Sequence, residues 1–235
     1  MNRTWFEGCR WIDLWHRYWF EQTTAVRISM CRMIMVFCQL TWFRPELSKQ
    51  LHLIRHNEKM IDPQVLIRAV TAVVPADQFR SEACMTGMFW LMMVTGVMSL
   101  IGILTRPALF IFAILNWVFV AHHYSYGEKH HSEAIFCIVL LLMALAPSGR
   151  CLSVDGWLGN LFGSSISAGG WGIQPRFTTA MWPLRTGMWL LALSYLCAGL
   201  CKLHQGGFAW MEGATLQGYL LADGVRWDRP VGVWL

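Results

Sequence analysis

The sequence predicts an all-α protein, a polytopic transmembrane helical bundle of about five spans preceded by a helix in the membrane interface. The chain has 235 residues, of which 55% are hydrophobic and only 14% are charged. A soluble domain carries about 25% charged residues. Several stretches also approach the ~20 apolar residues that cross a bilayer as a helix. Composition and segment length therefore both indicate a membrane protein.

The predicted elements follow one another along the chain. Residues 5–20 mix Trp and Tyr with charged side chains, which is typical of a helix at headgroup level. Residues 44–82 are polar and contain three prolines, which predicts a connection with one or two short helices. Residues 148–181 are rich in Gly and Ser and predict a loop. The five predicted spans cover residues 26–43, 85–104, 108–120 and slightly beyond, 134–146 and 182–203.

These helices must pack on one another, so we expect one domain over residues 1–235. The chain ends in apolar sequence, Val233-Trp234-Leu235, and we expect the polypeptide to continue into a further helix. The net charge of +5 is scattered. Nucleic-acid binding requires a basic stripe on a soluble face, so the expected partner is the lipid bilayer and not nucleic acid. The eight cysteines are dispersed and predict no disulfide framework, and Cys151, in a loop, is the expected reactive thiol.

Arg32 lies inside the first predicted span, where a charge is costly in lipid. Two interpretations stay open. The side chain either faces the bundle interior or a wet cavity, or it extends to the interface.

Four of the eight histidines, His122, His123, His130 and His131, fall within ten residues between two predicted spans. Imidazole donates, accepts or binds metal near neutral pH. The cluster therefore predicts a catalytic or ligand-binding lip at a membrane boundary. A di-iron site of the desaturase type is a variant, but the second histidine box is missing and we expect no metal. The structural alternative is a polar interfacial turn.

Lys202 ends the fifth predicted span beside apolar neighbours. Burial disfavours a charged lysine, and a neutral lysine is a usable general base. The alternative is a lysine that extends from the helix end to the interface. In the segment 147–155, Ser and Asp side chains predict a helix cap.

The order of several short motifs resembles the HTTM-domain proteins, which are bacterial relatives of the vitamin K-dependent γ-glutamyl carboxylase. The resemblance covers most of the chain apart from residues 44–82. The first predicted span, with Arg32, matches the opening helix of that family. The other motifs that carry it are His130-His131-Ser132-Glu133, Ala146-Pro147-Ser148-Gly149, Leu152-Ser153-Val154-Asp155, Pro183-Leu184-Arg185, Leu193-Ser194-Tyr195 and Ala198-Gly199-Leu200-Cys201-Lys202-Leu203, followed by Trp210 and Gly213.

The resemblance implies a catalytic base and a cofactor. Lys202 would deprotonate reduced vitamin K or another quinol, and His131 would hydrogen-bond the quinone oxygen or an oxyanion. Reaction of the quinol with oxygen would give a base strong enough to remove a γ-proton from glutamate, and carbon dioxide would add to the carbanion. The resemblance also places His130, Tyr195, Arg185 and Arg32 at the cofactor.

One departure from the family bears on the substrate. The animal carboxylase has a large non-membrane region that helps to bind its protein substrate, and we expect no such region within residues 1–235. A peptide or protein substrate and a membrane-protein partner are still expected, in the bacterial inner membrane. The alternative is a non-catalytic membrane subunit of a maturation or transport complex that binds a lipid, quinone or partner helix. A metal-dependent membrane hydroxylase is the third hypothesis.

Overall fold

The fold is mostly helical. The computed structural model describes residues 10–56, 59–127, 131–161, 178–207, 217, 218 and 221, and gives the backbone alone at 10, 131, 132, 159–161 and 205. Within these residues the helices are α1 Arg10–Phe20, α2 Ala25–Thr41, α3 Leu47–His56, α4 Val65–Val73, α5 Ala76–Phe79, α6 Glu82–Ile101, α7 Thr105–Tyr124, α8 His131–Leu145, α9 Val154–Leu161 and α10 Trp182–Gly206. The strands are β1 Gln22–Thr24 and β2 Thr178–Ala180.

The chain divides into two compact units, residues 1–187 and residues 188–235. The first contains α1 to α9, both strands and the first six residues of α10. The second contains the remainder of α10.

The core of the first unit lies between α2, α6, α7 and α8. Helix α7 packs against both α6 and α8, and α2 packs against α6 and α8. Phe112 and Phe119 of α7, Met92 of α6 and Leu140 of α8 are fully buried or nearly so. Within its most apolar stretch α7 is 61% buried, compared with 33% for α6. Helix α7 is therefore the central helix of this unit.

In the described part of the chain, three helices are long and apolar enough to cross a bilayer, namely Glu82–Ile101, Thr105–Tyr124 and Trp182–His204. At 1.5 Å per residue, a helix of 20 residues is about as long as the hydrocarbon core is thick. Helices α2, with 17 residues, and α8, with 15, are shorter than the other predicted spans. The outer surfaces of α6 and α10 carry exposed apolar side chains such as Trp90, Leu91, Trp189 and Leu193.

The turn between α6 and α7 begins earlier than the sequence predicted. Helix α6 starts at Glu82, because the Ser81 hydroxyl accepts a hydrogen bond from Cys84 N at 3.2 Å and caps the helix. It ends at Ile101, because Gly102 adopts a φ of 82° and donates its N–H to the Met98 carbonyl. Helix α7 then starts at Thr105, with Pro107 in its first turn, where a missing N–H costs no helix hydrogen bond.

Two connections contain more structure than the sequence predicted. Residues 44–82 hold three short helices, α3, α4 and α5, where we expected one or two. Within residues 148–181, predicted as a loop, lie α9 and β2. Strands β1 and β2 form an antiparallel ribbon that pairs Thr23 with Thr179 and Thr24 with Thr178. Met181 N donates to Glu21 O at 3.0 Å and extends this pairing by one step.

Candidate functional site

Arg32 is fully buried in the first unit. Its Nη2 donates to the backbone carbonyl of Leu152 at 2.6 Å, and Nη1 lies 3.5 Å from the Thr105 hydroxyl. A guanidinium retains its charge inside a protein only where acceptors replace water, because desolvating an unpaired charge costs several kcal/mol. The Arg32 side chain therefore faces the interior of the protein and does not extend to the interface. Its hydrogen-bond partners are protein groups.

Asp155 lies beside this arginine and caps α7. Its Oδ1 accepts from Leu104 N at 2.9 Å, and its Oδ2 accepts from Thr105 N at 2.7 Å and from the Thr105 hydroxyl at 2.8 Å. A carboxylate at a helix N-terminus satisfies otherwise unpaired N–H groups and interacts favourably with the helix dipole. The sequence predicted a capping role for this segment, and the structure shows that Asp155 caps a helix 50 residues earlier in the chain.

The backbone around Arg32 and Asp155 is tightly packed. A Cβ at Gly102 would lie 2.7 Å from Ser153 Cα and 3.1 Å from Arg32 Nη1. The Ser153 hydroxyl accepts from Gly156 N at 3.0 Å and caps α9. Leu104 and Leu152 both adopt positive φ values, 46° and 49°. We name Gly102, Thr105, Arg32, Leu152, Ser153 and Asp155 together the polar junction. It joins α2, the α6–α7 turn and the start of α9.

Cys151 is fully buried next to the polar junction, contrary to its expected place as a reactive loop thiol. Burial raises the pKa of its thiol, so less of the nucleophilic thiolate is present near neutral pH.

The described histidines of the cluster lie on two helices. His122 and His123 lie in the last turn of α7, and His131 is the first residue of α8. His122 is fully buried, and its Nδ1 lies 2.6 Å from Gln50 Oε1 of α3. A carbonyl oxygen only accepts, so Nδ1 carries the proton and Nε2 is the acceptor in the neutral ring. Nε2 has no hydrogen-bond partner within the part of the chain that the structure describes.

His130 and the side chain of His131 lie outside the described residues. The structure gives only the backbone of His131.

Two candidate residues share one face of α10 in the second unit. Tyr195 and Lys202 are seven residues apart, which places them on the same side of a helix about two turns from each other. Both side chains are exposed, Tyr195 by 73%. A phenol and an amine on one face can both hydrogen-bond to a single partner.

Arg185, in the first turn of α10, contacts the N-terminal segment. Its guanidinium forms an ion pair with Glu21 and lies 4.4 Å from the centre of the Tyr18 ring. The Arg17 carbonyl accepts a further bond from Arg185 Nη1 at 3.5 Å.

A quinol needs hydrogen-bonding groups for its hydroxyls and an apolar surface for its ring. Tyr195 and Lys202, on an apolar helix, fit that requirement. Arg32 and Arg185 bond to other parts of the chain, and their place at the cofactor stays a prediction. Across the described ranges, no group of three or more His, Cys, Asp or Glu side chains is arranged to hold a metal ion.

Comparison with known proteins adds no family assignment. No family model, curated protein or solved structure matches the chain.

The sequence did not point to Gln50, Thr105 or Gly102. Gln50 and Thr105 bond to residues at least 50 positions away in the sequence. Gly102 forms a local turn at the end of α6. The one available signal was Gly102 itself, because a glycine between two apolar stretches is typical of a helix end.

Proposed function

We propose that the chain is a multi-pass protein of the bacterial inner membrane, with about five spans. Its three long apolar helices support this proposal. Helix α8 is apolar but shorter, and α2 buries its internal charge, Arg32, away from lipid. A short span fits a bilayer that thins locally, at a modest cost.

For its activity, we propose quinol-dependent chemistry of the carboxylase type. Lys202 acts as the general base, and His131 hydrogen-bonds the quinone oxygen. His130 and Tyr195 contribute to the cofactor site. The observation that carries the proposal is the shared face of Tyr195 and Lys202 on an apolar helix of span length. The order of motifs around them supports it.

Each residue has a defined task in this proposal. The Lys202 amine accepts a hydroxyl proton from the quinol, and the Tyr195 hydroxyl orients the ring by hydrogen bonding. A bound quinol supplies reducing equivalents for oxygen and a strong base for the glutamate γ-proton. Such a base requires a site without water, because water would quench it.

The proposal is tested with purified protein, reduced quinone and oxygen, by measuring quinone epoxide. Lys202→Ala removes the base, and we expect the rate to fall at least ~100-fold, the usual contribution of a positioned acid or base. Lys49→Ala, an exposed lysine of α3 paired with Glu46, is the matched control and should keep the wild-type rate. Unchanged epoxide formation by a folded Lys202→Ala protein would disprove the assignment.

A non-catalytic membrane subunit is the second candidate. The observation that favours it is the use of polar groups in the first unit: Arg32, Asp155 and Arg185 all bond within the chain. Such a protein binds a quinone, lipid or partner helix without converting it. Quinone that binds and is recovered chemically unchanged supports this candidate, whereas epoxide formed by the purified chain excludes it.

A further inference from the structure

Several exposed arginines surround the β1–β2 ribbon. Arg27 Nη1 lies 3.5 Å from the Thr23 hydroxyl of β1, and Arg150 Nη1 donates to the Thr178 carbonyl of β2 at 3.3 Å. Thr178 pairs with Thr24, the neighbour of Thr23. The two guanidinium groups are therefore attached to adjacent positions of one small ribbon, even though α2 and the α8–α9 connection carry them.

The positive charge of this surface is only partly compensated. Arg185 is paired with Glu21, which directly precedes β1. Arg17, Arg27 and Arg150 are exposed and form no ion pair with a carboxylate of the described residues. We name these three residues the arginine surface.

The other polar segment of the first unit is arranged differently. Between Pro45 and Glu82, Lys49 pairs with Glu46, Arg55 with Glu82 and Arg68 with Asp62. Both regions are rich in basic residues, but in this second region carboxylates lie beside three of them. Within the described residues, the ribbon therefore presents three guanidinium groups that have no carboxylate partner.

The ribbon also adjoins an amphipathic helix. Helix α1 leads directly into β1 and exposes Trp11, Trp15 and Tyr18. Trp and Tyr side chains favour the level of the lipid headgroups. If α1 lies there, the arginine surface lies at the depth of the lipid phosphates. Guanidinium binds phosphate through two parallel hydrogen bonds.

We propose that the arginine surface binds the headgroup of an anionic glycerophospholipid, with its phosphate between Arg27 and Arg150. The inference rests on the proposed membrane location and is independent of the quinol chemistry. The bound lipid would bridge α2 to the α8–α9 connection at the ribbon.

The test titrates the purified chain in non-ionic detergent with phosphatidylglycerol or phosphatidylcholine and counts bound lipids by native mass spectrometry. We expect preferential binding of phosphatidylglycerol. The double variant Arg27→Gln/Arg150→Gln should weaken it roughly 30-fold, because a basic residue near an anionic lipid contributes about a fivefold factor. The control Lys49→Gln/Arg68→Gln also removes two positive charges, but from the other segment, and should leave the affinity unchanged.

A second variant separates charge from folding. Arg27→Lys/Arg150→Lys keeps both charges and should retain most of the affinity, and circular dichroism checks that each variant is folded. Equal binding of the two lipids, or full affinity in the glutamine variant, would overturn the inference. So would a loss of affinity in the lysine variant or in the control that is as large as the loss in the glutamine variant. Competition by inorganic phosphate at the same concentration would overturn it as well. Loss of quinol chemistry in Lys202→Ala, by contrast, would leave lipid binding intact.

Discussion

Arg32 in α2 and Leu152 before α9 are joined by a 2.6 Å hydrogen bond from Arg32 Nη2 to the Leu152 carbonyl oxygen, across 120 residues of sequence. The bond places a charge inside the first unit and orients the backbone that leads to Asp155. Asp155 in turn caps α7, the most buried of the long helices. The polar junction therefore fixes the positions of three segments that the sequence alone leaves independent.

Replacing Arg32 by Gln should destabilise the protein. The variant loses a charge-assisted hydrogen bond and leaves the Leu152 carbonyl without its donor, at a cost of about 2–3 kcal/mol in the free energy of unfolding. Denaturation in mixed detergent micelles, followed by circular dichroism, measures this. Arg27→Gln removes an exposed arginine from the same helix and should stay within ~0.5 kcal/mol. Equal stability of the two variants would show that the buried bond contributes little.

Asp155→Asn should weaken the start of α7. An amide retains one acceptor oxygen where the carboxylate uses two, and it loses the favourable interaction with the helix dipole, so we expect a loss of about 1–2 kcal/mol. The same micelle denaturation applies. Asp62→Asn, which removes an exposed surface ion pair with Arg68, is the control and should cost less than ~1 kcal/mol. A larger loss in the control than in Asp155→Asn would contradict the capping role.

Gly102→Ala and Gly87→Ala should have opposite effects, although both positions belong to α6 or its cap. At Gly102 the φ of 82° disfavours a side chain, and the new Cβ would lie 2.7 Å from Ser153 Cα. At Gly87 nothing lies within 4 Å, so alanine should stabilise the helix by about 0.5–1 kcal/mol. Thermal unfolding in detergent compares the two. If Gly102→Ala proves as stable as wild type, the α6–α7 turn must differ from the one described.

Cys151 should resist a water-soluble maleimide in the folded protein and react after unfolding. It is buried, and its raised pKa lowers the thiolate fraction at any pH below that value, so modification of the native chain should increase as pH rises from 7 to 9. Cys84, half-buried in the first turn of α6, is the internal comparison and should react earlier. Peptide mass spectrometry reads both sites in one sample. Rapid native modification of Cys151 at pH 7 would contradict its burial.

Sequence reasoning located most helices because apolar length and turn residues are local signals. The α10 start at Trp182 agrees with the prediction, and α2 agrees to within two residues at either end. Because a charge is costly in lipid, the sequence also predicted an interior position for Arg32 as one of two alternatives. The partners of these residues could not be predicted, since the bonds to Leu152, Asp155 and Gln50 connect segments far apart in sequence. The short β1–β2 ribbon has no hydrophobic alternation that would mark it as a strand pair.

The candidate catalytic residues depend on a different kind of signal. The motifs around Lys202, Tyr195 and His131 were found by resemblance, whereas helix geometry contributes the shared face of Tyr195 and Lys202. Arg185 and Arg32 belong to the same motifs, but the structure gives them bonds within the chain. We therefore build the proposed chemistry on Lys202, Tyr195 and His131, and describe the two arginines by the bonds they make within the chain.

The most direct measurement of the proposed activity follows oxygen into the product. Purified protein is incubated with reduced quinone under ¹⁸O₂, and the quinone products are analysed by mass spectrometry, with Lys202→Ala and Lys49→Ala in parallel. We expect labelled epoxide from wild type and Lys49→Ala and almost none from Lys202→Ala. Quinone recovered without ¹⁸O from the folded wild-type protein would contradict the proposed chemistry.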